Sequence, residues 1–300
     1  MKLRDNFHIY AIITIIFWSS AFVFTRLALR HFSPLSLGFL RYFIASIFLL
    51  IFAFIVKIKI PAKNDIKWFI ISGFFGFFFY ILMFNFGSAA TSASTCSLII
   101  ATAPVITTLF ARIIYKEKLR IIKYIAIIIE FTGVGVLTIM KGILSINKGL
   151  IWLILASISL SVYNLLQKKL IKKYSAIQTA IFSIWFGTIL LLFFLPNSIM
   201  EIKNVPLIQI LYLIILGVFS SAVAYISWTC AFSKAKNTSS VTNYMFLTPF
   251  LTTLLGILIA KEIPDFVTII GGIIIMIGMF IYNFFDKIIM KIYKTEKNIV

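Results

Sequence analysis

Two ionisable residues, Arg41 and Glu130, lie well inside long apolar runs of the sequence. An ionised side chain at the centre of a bilayer costs about 3 kcal/mol, so each should face protein or water. Three interpretations of Glu130 stay open. It is a neutral carboxylic acid bonded to a neighbouring helix, a partner of Arg41 or another polar group, or a titrating group that gives proton coupling.

Polar and aromatic side chains also occur at depths where aliphatic residues are usual. A deep Trp or Tyr needs a partner for its N–H or O–H, and hydroxyl and amide groups can bond across helices. One interpretation is tight core packing. The other is the lining of a central cavity, where aromatic faces would suit flat, amphipathic or cationic solutes. The candidate lining residues are Trp18, Ser19, Tyr80, Asn85, Thr95, Ser161, Asn164, Tyr225, Trp228, Asn243 and Tyr244.

Pro104 and Pro249 each interrupt an apolar run that begins with Ser and Thr residues. Proline removes a backbone donor and frees a carbonyl one turn earlier. Such a break is tolerated in a membrane where neighbours or a cavity satisfy the freed group. We expect both prolines to act as hinge or gate points, with a passive kink as the alternative.

Little else in the sequence suits catalysis or metal binding. His8 and His31 are 23 residues apart, and Cys96 and Cys230 lie in apolar runs 134 residues apart, which predicts free thiols. No zinc-protease, nucleophile-elbow or nucleotide-binding motif occurs. The sequence therefore predicts neither an enzyme nor an ATP-driven pump, and no cofactor or metal.

Composition indicates a protein whose solvent is lipid. Of the 300 residues, 61% are hydrophobic and 12% are charged, against about 45–50% and about 25% in soluble domains. The mean hydropathy is +1.07. The net charge of +19 comes from residues between the apolar runs, which favours cytoplasmic loops beside anionic lipid over nucleic-acid binding.

Ten apolar runs are long enough to span a bilayer, and their length predicts helices since backbone groups in lipid must bond within one segment. The predicted fold is therefore an all-α polytopic membrane protein. The predicted spans are 9–30, 35–56, 67–87, 91–114, 121–140, 149–167, 177–195, 207–231, 238–260 and 266–285.

The distribution of Lys and Arg predicts the orientation of these spans. With ten spans, 21 of the 28 basic residues fall on the side that holds both termini and six on the other, while Arg41 lies within a span. Positive residues favour the cytoplasm. We expect a multi-pass protein of the plasma (inner) membrane with cytoplasmic N- and C-termini.

The second half of the sequence repeats the first. An offset of 145 residues superimposes 91–119 on 236–264, so that Pro104 meets Pro249, and an offset of 142 superimposes Arg26 on Lys168. The predicted units are residues 8–141, residues 148–285 and a basic cytoplasmic tail, 286–300. Because five spans is an odd number, the two halves should have inverted topology, which is typical of secondary transporters with a site near the midplane.

Five segments resemble the drug/metabolite transporter superfamily in its ten-helix form with two EamA-type halves. They are "FWSSAFVFTRLAL" (17–29), "SPLSLGFLRY" (33–42), "ATAPV" (101–105), "YKEKL" (115–119) and "YMFLTPFLTTLLGILIAKE" (244–262). The resemblance covers residues 8–285 and implies a central cavity formed by spans 1, 3, 4, 6, 8 and 9. The second half departs from the first, with Ser183 in place of Arg41 and Leu160 in place of Trp18.

This resemblance implies a secondary transporter of small organic metabolites, such as amino acids, purines or amphipathic compounds, usually acting outward by alternating access. The alternative is a flippase for a lipid-linked intermediate, or a membrane protein of this fold without transport activity. We expect a small-molecule substrate and the lipid bilayer as partners, possible proton coupling, no nucleic acid, and a monomer or homodimer. Glu117 and Glu262 are expected at solvated helix ends, with a symmetric pair of gates as the alternative.

Overall fold

The computed structural model describes residues 7–115, 121–140, 148–203, 205–235, 241 and 243–297, and helices form almost all of this part of the chain. The all-α prediction is confirmed. The helices, named here in chain order, are α1 (Phe7–Ala28), α2 (Pro34–Val56), α3 (Lys63–Ala90), α4 (Ala93–Ile100 and Ala103–Tyr115), α5 (Ile121–Met140), α6 (Lys148–Leu170), α7 (Ala176–Ile202), α8 (Leu207–Lys234), α9 (Leu247–Ala260) and α10 (Phe266–Lys297).

These helices lie at the positions of the predicted spans. Within the described residues, seven are both long and apolar enough to cross a membrane, namely α1, α2, α3, α4, α6, α7 and α8. The apolar part of α9 and the Phe266–Tyr282 part of α10 are shorter. The chain is thus a polytopic helical membrane protein, while the number ten stays a prediction.

The outer surface is apolar, and the interior contains polar as well as apolar side chains. Phe54 and Phe193 are 75% and 84% exposed, whereas Thr95, Ser157 and Ser220 are fully buried. Large apolar side chains on the outside suit a lipid solvent. The buried hydroxyls need partners inside the protein, because lipid offers none.

Serine residues begin two helices in equivalent ways. The Ser33 hydroxyl accepts a hydrogen bond from the backbone N–H of Ser36 at the start of α2, and Ser175 does the same for Gln178 at the start of α7. Such caps satisfy backbone donors that a helix start leaves open. The two serines are separated by the 142-residue offset of the sequence repeat.

Two of the close glycine crossings resemble each other. A Cβ atom on Gly73 of α3 would lie 2.8 Å from the Ser183 carbonyl oxygen of α7, and one on Gly217 of α8 would lie 2.9 Å from that of Arg41 in α2. Only glycine allows such backbone approach. Arg41 and Ser183 occupy equivalent positions of the repeat, so the same kind of crossing joins α3 to α7 and α8 to α2.

Both helices that contain a predicted hinge proline are interrupted. Residues 101 and 102 form a turn between the two pieces of α4, and Pro104 lies in the first turn of the second piece. Pro249 lies in the first turn of the regular part of α9, directly after a 3₁₀ turn formed by Asn243–Phe246. The predicted breaks are therefore present, because proline fits the first turn of a helix, where no N–H donor is needed. Whether they move stays a prediction.

Helices α5 and α10 pack together along their length, beside the rest of the bundle. Glycines permit this contact, since a Cβ atom on Gly133 would lie 2.9 Å from the Gly271 carbonyl oxygen and one on Gly278 would lie 2.6 Å from Cγ of Glu130. Leu137 fills the space over Gly271 and is fully buried. Glu130 therefore faces α10.

Candidate functional site

A narrow cavity lies between residues of the two halves of the chain. Its walls come from α1, α2, α3, α4, α6, α8 and the segment that begins α9. The lining residues are Trp18, Ala21, Phe22, Arg41, Tyr80, Phe84, Ser97, Ile100, Ala101, Leu160, Tyr225, Met245 and Thr248. Six of these seven elements are the spans that the family resemblance implied, and α2 is the addition.

The cavity is nearly closed in this conformation. Its volume is about 30 Å³, whereas pockets for small organic molecules measure about 300–1,000 Å³. A few water molecules would fill it, since one water needs about 10–15 Å³ on this measure. The walls must therefore separate before an organic solute can enter.

Aromatic rings form much of the cavity wall. Trp18 of α1 meets Tyr225 of α8 edge-on at 5.3 Å between centroids, and Phe22 meets Phe84 of α3 at 5.4 Å. Trp228 supports Trp18 from behind at 5.0 Å and is itself buried. Of the predicted aromatic residues, Trp18, Tyr80 and Tyr225 thus line the cavity, while Trp228 belongs to the layer that holds them.

Arg41 brings a positive charge to this wall. Its side chain is 4% exposed, and its Nε donates to the Ser221 hydroxyl at 2.6 Å. Ser221 lies in the π-helical segment Ile215–Val223 of α8, next to the crossing at Gly217. Within the described part of the chain, Arg41 forms no ion pair with a carboxylate.

Two predicted lining serines instead bond to carbonyls at the helix interruptions. The Ser161 hydroxyl of α6 shares its proton between the Ala103 carbonyl at 2.8 Å and the Ser157 carbonyl of its own helix at 2.7 Å. Ser19 of α1 donates to the Thr248 carbonyl at 3.4 Å. Ser157 adds a bond of 2.9 Å to the Ile99 carbonyl. These hydroxyls satisfy carbonyls near the interruptions in α4 and α9, and they do not line the cavity in this conformation.

The remaining predicted side chains have other surroundings. Asn85 donates to the Pro34 carbonyl at 2.8 Å, and Asn164 donates to the Thr107 hydroxyl at 3.4 Å. Thr95 lies in the first turn of α4, bonded to Ser92 and Thr268, and Tyr244 pairs with His8. The side chain of Asn243 lies outside the described residues.

One end of the bundle is closed by a network around Glu262, which we call the Arg26 end. Arg26 of α1 donates from Nε to Glu262 at 3.1 Å and from Nη1 to the Ser88 and Ala89 carbonyls at 3.0 Å each. Glu262 also accepts from the Ala93 N–H at the start of α4 at 3.0 Å. The expectation of a merely solvated Glu262 is therefore wrong. Glu117 lies outside the described residues.

The opposite end is joined around Asp65, and we call it the Asp65 end. The Asp65 carboxylate accepts from Lys173 and Tyr174, and the Tyr174 hydroxyl accepts from the Ala62 N–H at 3.2 Å. Hydrogen bonding to Asp65 raises the pKa of Lys173 above its usual value. The Asp65 end is solvent-exposed, so this ion pair contributes little to stability.

Glu130 lies away from the cavity, in the contact between α5 and α10. Its side chain is 1% exposed, and neither carboxylate oxygen has a hydrogen-bond partner in the described structure. The interpretation that Glu130 pairs with Arg41 is therefore wrong. The interpretation that it bonds to a neighbouring helix is also wrong for the residues that the structure describes. Its environment suits the neutral acid, because an isolated carboxylate would carry a large desolvation penalty.

Sequence reasoning missed most of the apolar cavity wall. Phe22 follows Trp18 by four residues and Phe84 follows Tyr80 by four, so each pair shares one helix face. This spacing was the available signal. Leu160 and Met245 carried none, since their orientation depends on how the helices rotate as they pack.

Comparison with known proteins identifies the chain once this geometry is known. The sequence profile of the EamA-like transporter family matches it twice, over residues 6–139 and 147–284. The chain belongs to the EamA-like transporter family. The family resemblance seen in the sequence is confirmed, and the protein has two EamA-like halves.

Similar proteins have names that agree with this assignment. The uncharacterized transporter YdfC of Bacillus subtilis is 32% identical over 265 residues, which cover 87% of this chain and 86% of that one. A probable terminal-alkyne amino-acid exporter of Streptantibioticus cattleyicolor is 26% identical, with 91% of each chain covered. These EamA relatives are named as transporters and not as enzymes.

A solved structure supports the fold. One crystal structure superimposes on this EamA protein with a TM-score of 0.64, covering 94% of this chain and 98% of the other, at 17% sequence identity. At that identity the likeness concerns the fold alone. The helical arrangement described above is therefore also found in a solved structure.

Proposed function

We propose that this EamA protein is a secondary transporter that moves small organic metabolites through the cavity by alternating access. The observation that carries the proposal is the position of the cavity between both halves, with Trp18, Arg41 and Tyr80 from the first half and Tyr225 and Thr248 from the second. A site at the junction of two repeats is where opposite rocking of the halves gives access to each side in turn.

Recurrent contacts support a mechanism in which the halves exchange conformations. The bonds of Ser161 and Ser19 relate equivalent positions of the two halves, and the crossings at Gly73 and Gly217 meet the equivalent positions Ser183 and Arg41. We propose that these halves are inverted, with ten membrane spans and both termini in the cytoplasm. The domain boundaries at 8–141 and 148–285, with a tail at 286–300, belong to the same proposal.

The proposed direction is export across the plasma membrane. Its support is the relative named as a probable terminal-alkyne amino-acid exporter. Amino acids and similarly sized metabolites are therefore the first solutes to test. The nearly closed cavity suits an intermediate between the two open states, since its walls exclude anything larger than a few waters.

A resistance screen tests the proposal in cells. A strain overexpressing the protein is grown on toxic amino-acid and purine analogues, and the same strain carrying Trp18→Ala serves as the comparison. We expect raised resistance to at least one analogue, lost with Trp18→Ala at equal membrane expression. Equal sensitivity of all strains would contradict export of these classes.

A reconstitution assay separates the transporter from the alternative flippase. The purified protein is placed in liposomes, and efflux of the analogue found in the screen and transbilayer movement of a fluorescent lipid are both followed. Solute efflux without lipid movement supports the proposal. Protein-dependent lipid scrambling without solute efflux would replace it with the flippase.

A further inference from the structure

The buried charge of Arg41 is not balanced by the described residues of the cavity. The structure describes five carboxyl side chains, and each of them lies elsewhere in the fold. Glu262 and Asp65 close the two ends of the bundle, Glu130 lies between α5 and α10, Glu201 accepts from the Ser33 N–H, and Asp265 caps α10 at Thr268. The described cavity wall therefore has one cation and no anion.

The Arg41 guanidinium is held by one hydrogen bond, and its central carbon lies 5.6 Å from the centroid of the Tyr42 ring. Nε donates to Ser221, while the two Nη nitrogens donate to no residue in the described part of the chain. A guanidinium stays charged in proteins and presents a planar set of donors that matches a carboxylate. A buried charge needs a partner of opposite sign or strong hydrogen-bond acceptors.

We propose that Arg41 is the anion-binding residue of the cavity, and that the solute is an amphipathic organic monocarboxylate. This inference rests on the proposed transport function. The carboxylate would meet the free Nη donors, and the apolar body would lie against Trp18, Phe22 and Tyr225. A single guanidinium balances one unit of negative charge, which favours a carboxylate over a phosphate that carries about −1.5 to −2.

The same arrangement disfavours cations. The sequence-based expectation was that aromatic faces would suit flat or cationic solutes, but an uncompensated guanidinium in the same small space repels a second positive charge. The repeat shows that this charge is particular to one half. At the equivalent position Ser183 instead shares a hydrogen bond of 2.9 Å with Ser72.

A reactive thiol in the cavity tests the charge preference without knowledge of the natural solute. Ser97→Cys is made in a protein whose Cys96 and Cys230 are replaced by alanine. Its reaction with an anionic methanethiosulfonate, which carries a sulfonate, is compared with that of a trimethylammonium analogue, each normalised to a free thiol in solution. We expect the anionic reagent to be favoured, and Arg41→Gln to lower this rate ratio by about tenfold or more.

Control variants separate charge from structure. Arg41→Lys should retain most of the ratio because it keeps the charge. Ser183→Ala, at the equivalent position of the other half, should leave it unchanged. A ratio that Arg41→Gln does not alter would overturn the inference while leaving transport intact. A thiol that reacts from neither side of the membrane would contradict the proposed transport function as well.

Binding by an isosteric series gives a second, independent measurement with the wild-type chain. Thermal stabilisation of the purified protein is followed with 3-phenylpropanoate, 3-phenylpropanamide and 3-phenylpropylammonium. We expect the anion to stabilise the protein most, and Arg41→Gln to remove that advantage. Preference for the amide or the ammonium, or no stabilisation by the carboxylate, would overturn the anion site even if Arg41→Gln failed to fold.

Discussion

The Ser161 hydroxyl donates a hydrogen bond of 2.8 Å to the Ala103 carbonyl, where α4 is interrupted. In the sequence repeat, Ser19 is the equivalent of Ser161 at the 142-residue offset, and Thr248 is the equivalent of Ala103 at the 145-residue offset. Ser19 and Thr248 form the same kind of bond at 3.4 Å. Each half thus uses a serine from its first helix to satisfy a carbonyl of the other half. Each interrupted helix is thus bonded, next to its interruption, to a serine of the other half.

Ser161→Ala should destabilise the protein modestly. An interhelical hydrogen bond in a membrane protein contributes about 0.6 kcal/mol, and its loss leaves the Ala103 carbonyl without that donor. Reversible unfolding in detergent with added denaturing surfactant measures the change. Ser198→Ala is the matched control, since Ser198 is buried but bonds only to Phe194 in its own helix. Equal losses for both variants would show that the bond between helices adds nothing.

Gly73→Ala should destabilise by about 1–3 kcal/mol, the usual effect of overpacking. The new methyl group would lie 2.7 Å from the Gly187 nitrogen, and backbone cannot move aside cheaply. Gly135→Ala is the control, because nothing lies within 4 Å of its added Cβ and alanine favours a helix by about 1 kcal/mol. The same measurement should therefore show a lower free energy of unfolding for Gly73→Ala and a higher one for Gly135→Ala. A tolerated Gly73→Ala would contradict the described crossing of α3 and α7.

The Arg26–Glu262 contact should limit access to the cavity from the Arg26 end. Glu262→Gln weakens the ion pair and the bond from the Ala93 N–H, and anions near a helix start are favoured by about 0.3–1 kcal/mol. A double-mutant cycle with Arg26→Gln should give a coupling energy of about 0.5 kcal/mol or more. We expect faster labelling of Ser97→Cys from that side in the Glu262→Gln background. Unchanged labelling with additive stability losses would show that the pair is incidental.

Glu130→Gln should leave the pH profile of transport unchanged. Glu130 packs against α10 and touches none of the described cavity wall, so its protonation has no direct contact with a solute. Glu130→Met should be neutral or stabilising, because it removes a buried polar group whose lack of a partner costs about 1–3 kcal/mol. A shifted pH profile for Glu130→Gln would restore the proton-coupling interpretation.

The sequence predicted the helix positions because apolar runs between charged loops leave a membrane chain few alternatives. It also predicted the interruptions at Pro104 and Pro249, whose chemistry is local. It did not predict how Ser161 and Ser19 are used, since a hydroxyl on a helix face suits a solute and a carbonyl equally. That choice depends on how α1 and α6 are rotated when the helices pack, which the sequence around each serine does not show.

Contacts between residues far apart in the sequence could not be predicted either, because they too depend on how the helices pack. Arg26 and Glu262 are 236 residues apart, and nothing in their own surroundings indicates that they meet. Arg41 and Glu130 were equally conspicuous as charges in apolar runs. The structure separates them, because Arg41 lies at the crossing of α2 with α8 and Glu130 lies on the face of α5 that meets Gly278.

Access to the cavity from both sides of the membrane tests the central claim most directly. Ser97→Cys, with the two native cysteines replaced, is treated with a membrane-impermeant anionic thiol reagent in intact cells and in inverted vesicles. Ser157→Cys is the control, since Ser157 and Ser97 are both fully buried but only Ser97 belongs to the cavity wall. The account predicts labelling of Ser97→Cys from each side and of Ser157→Cys from neither. Labelling of Ser97→Cys from one side only, or from neither side, would contradict alternating access through this cavity.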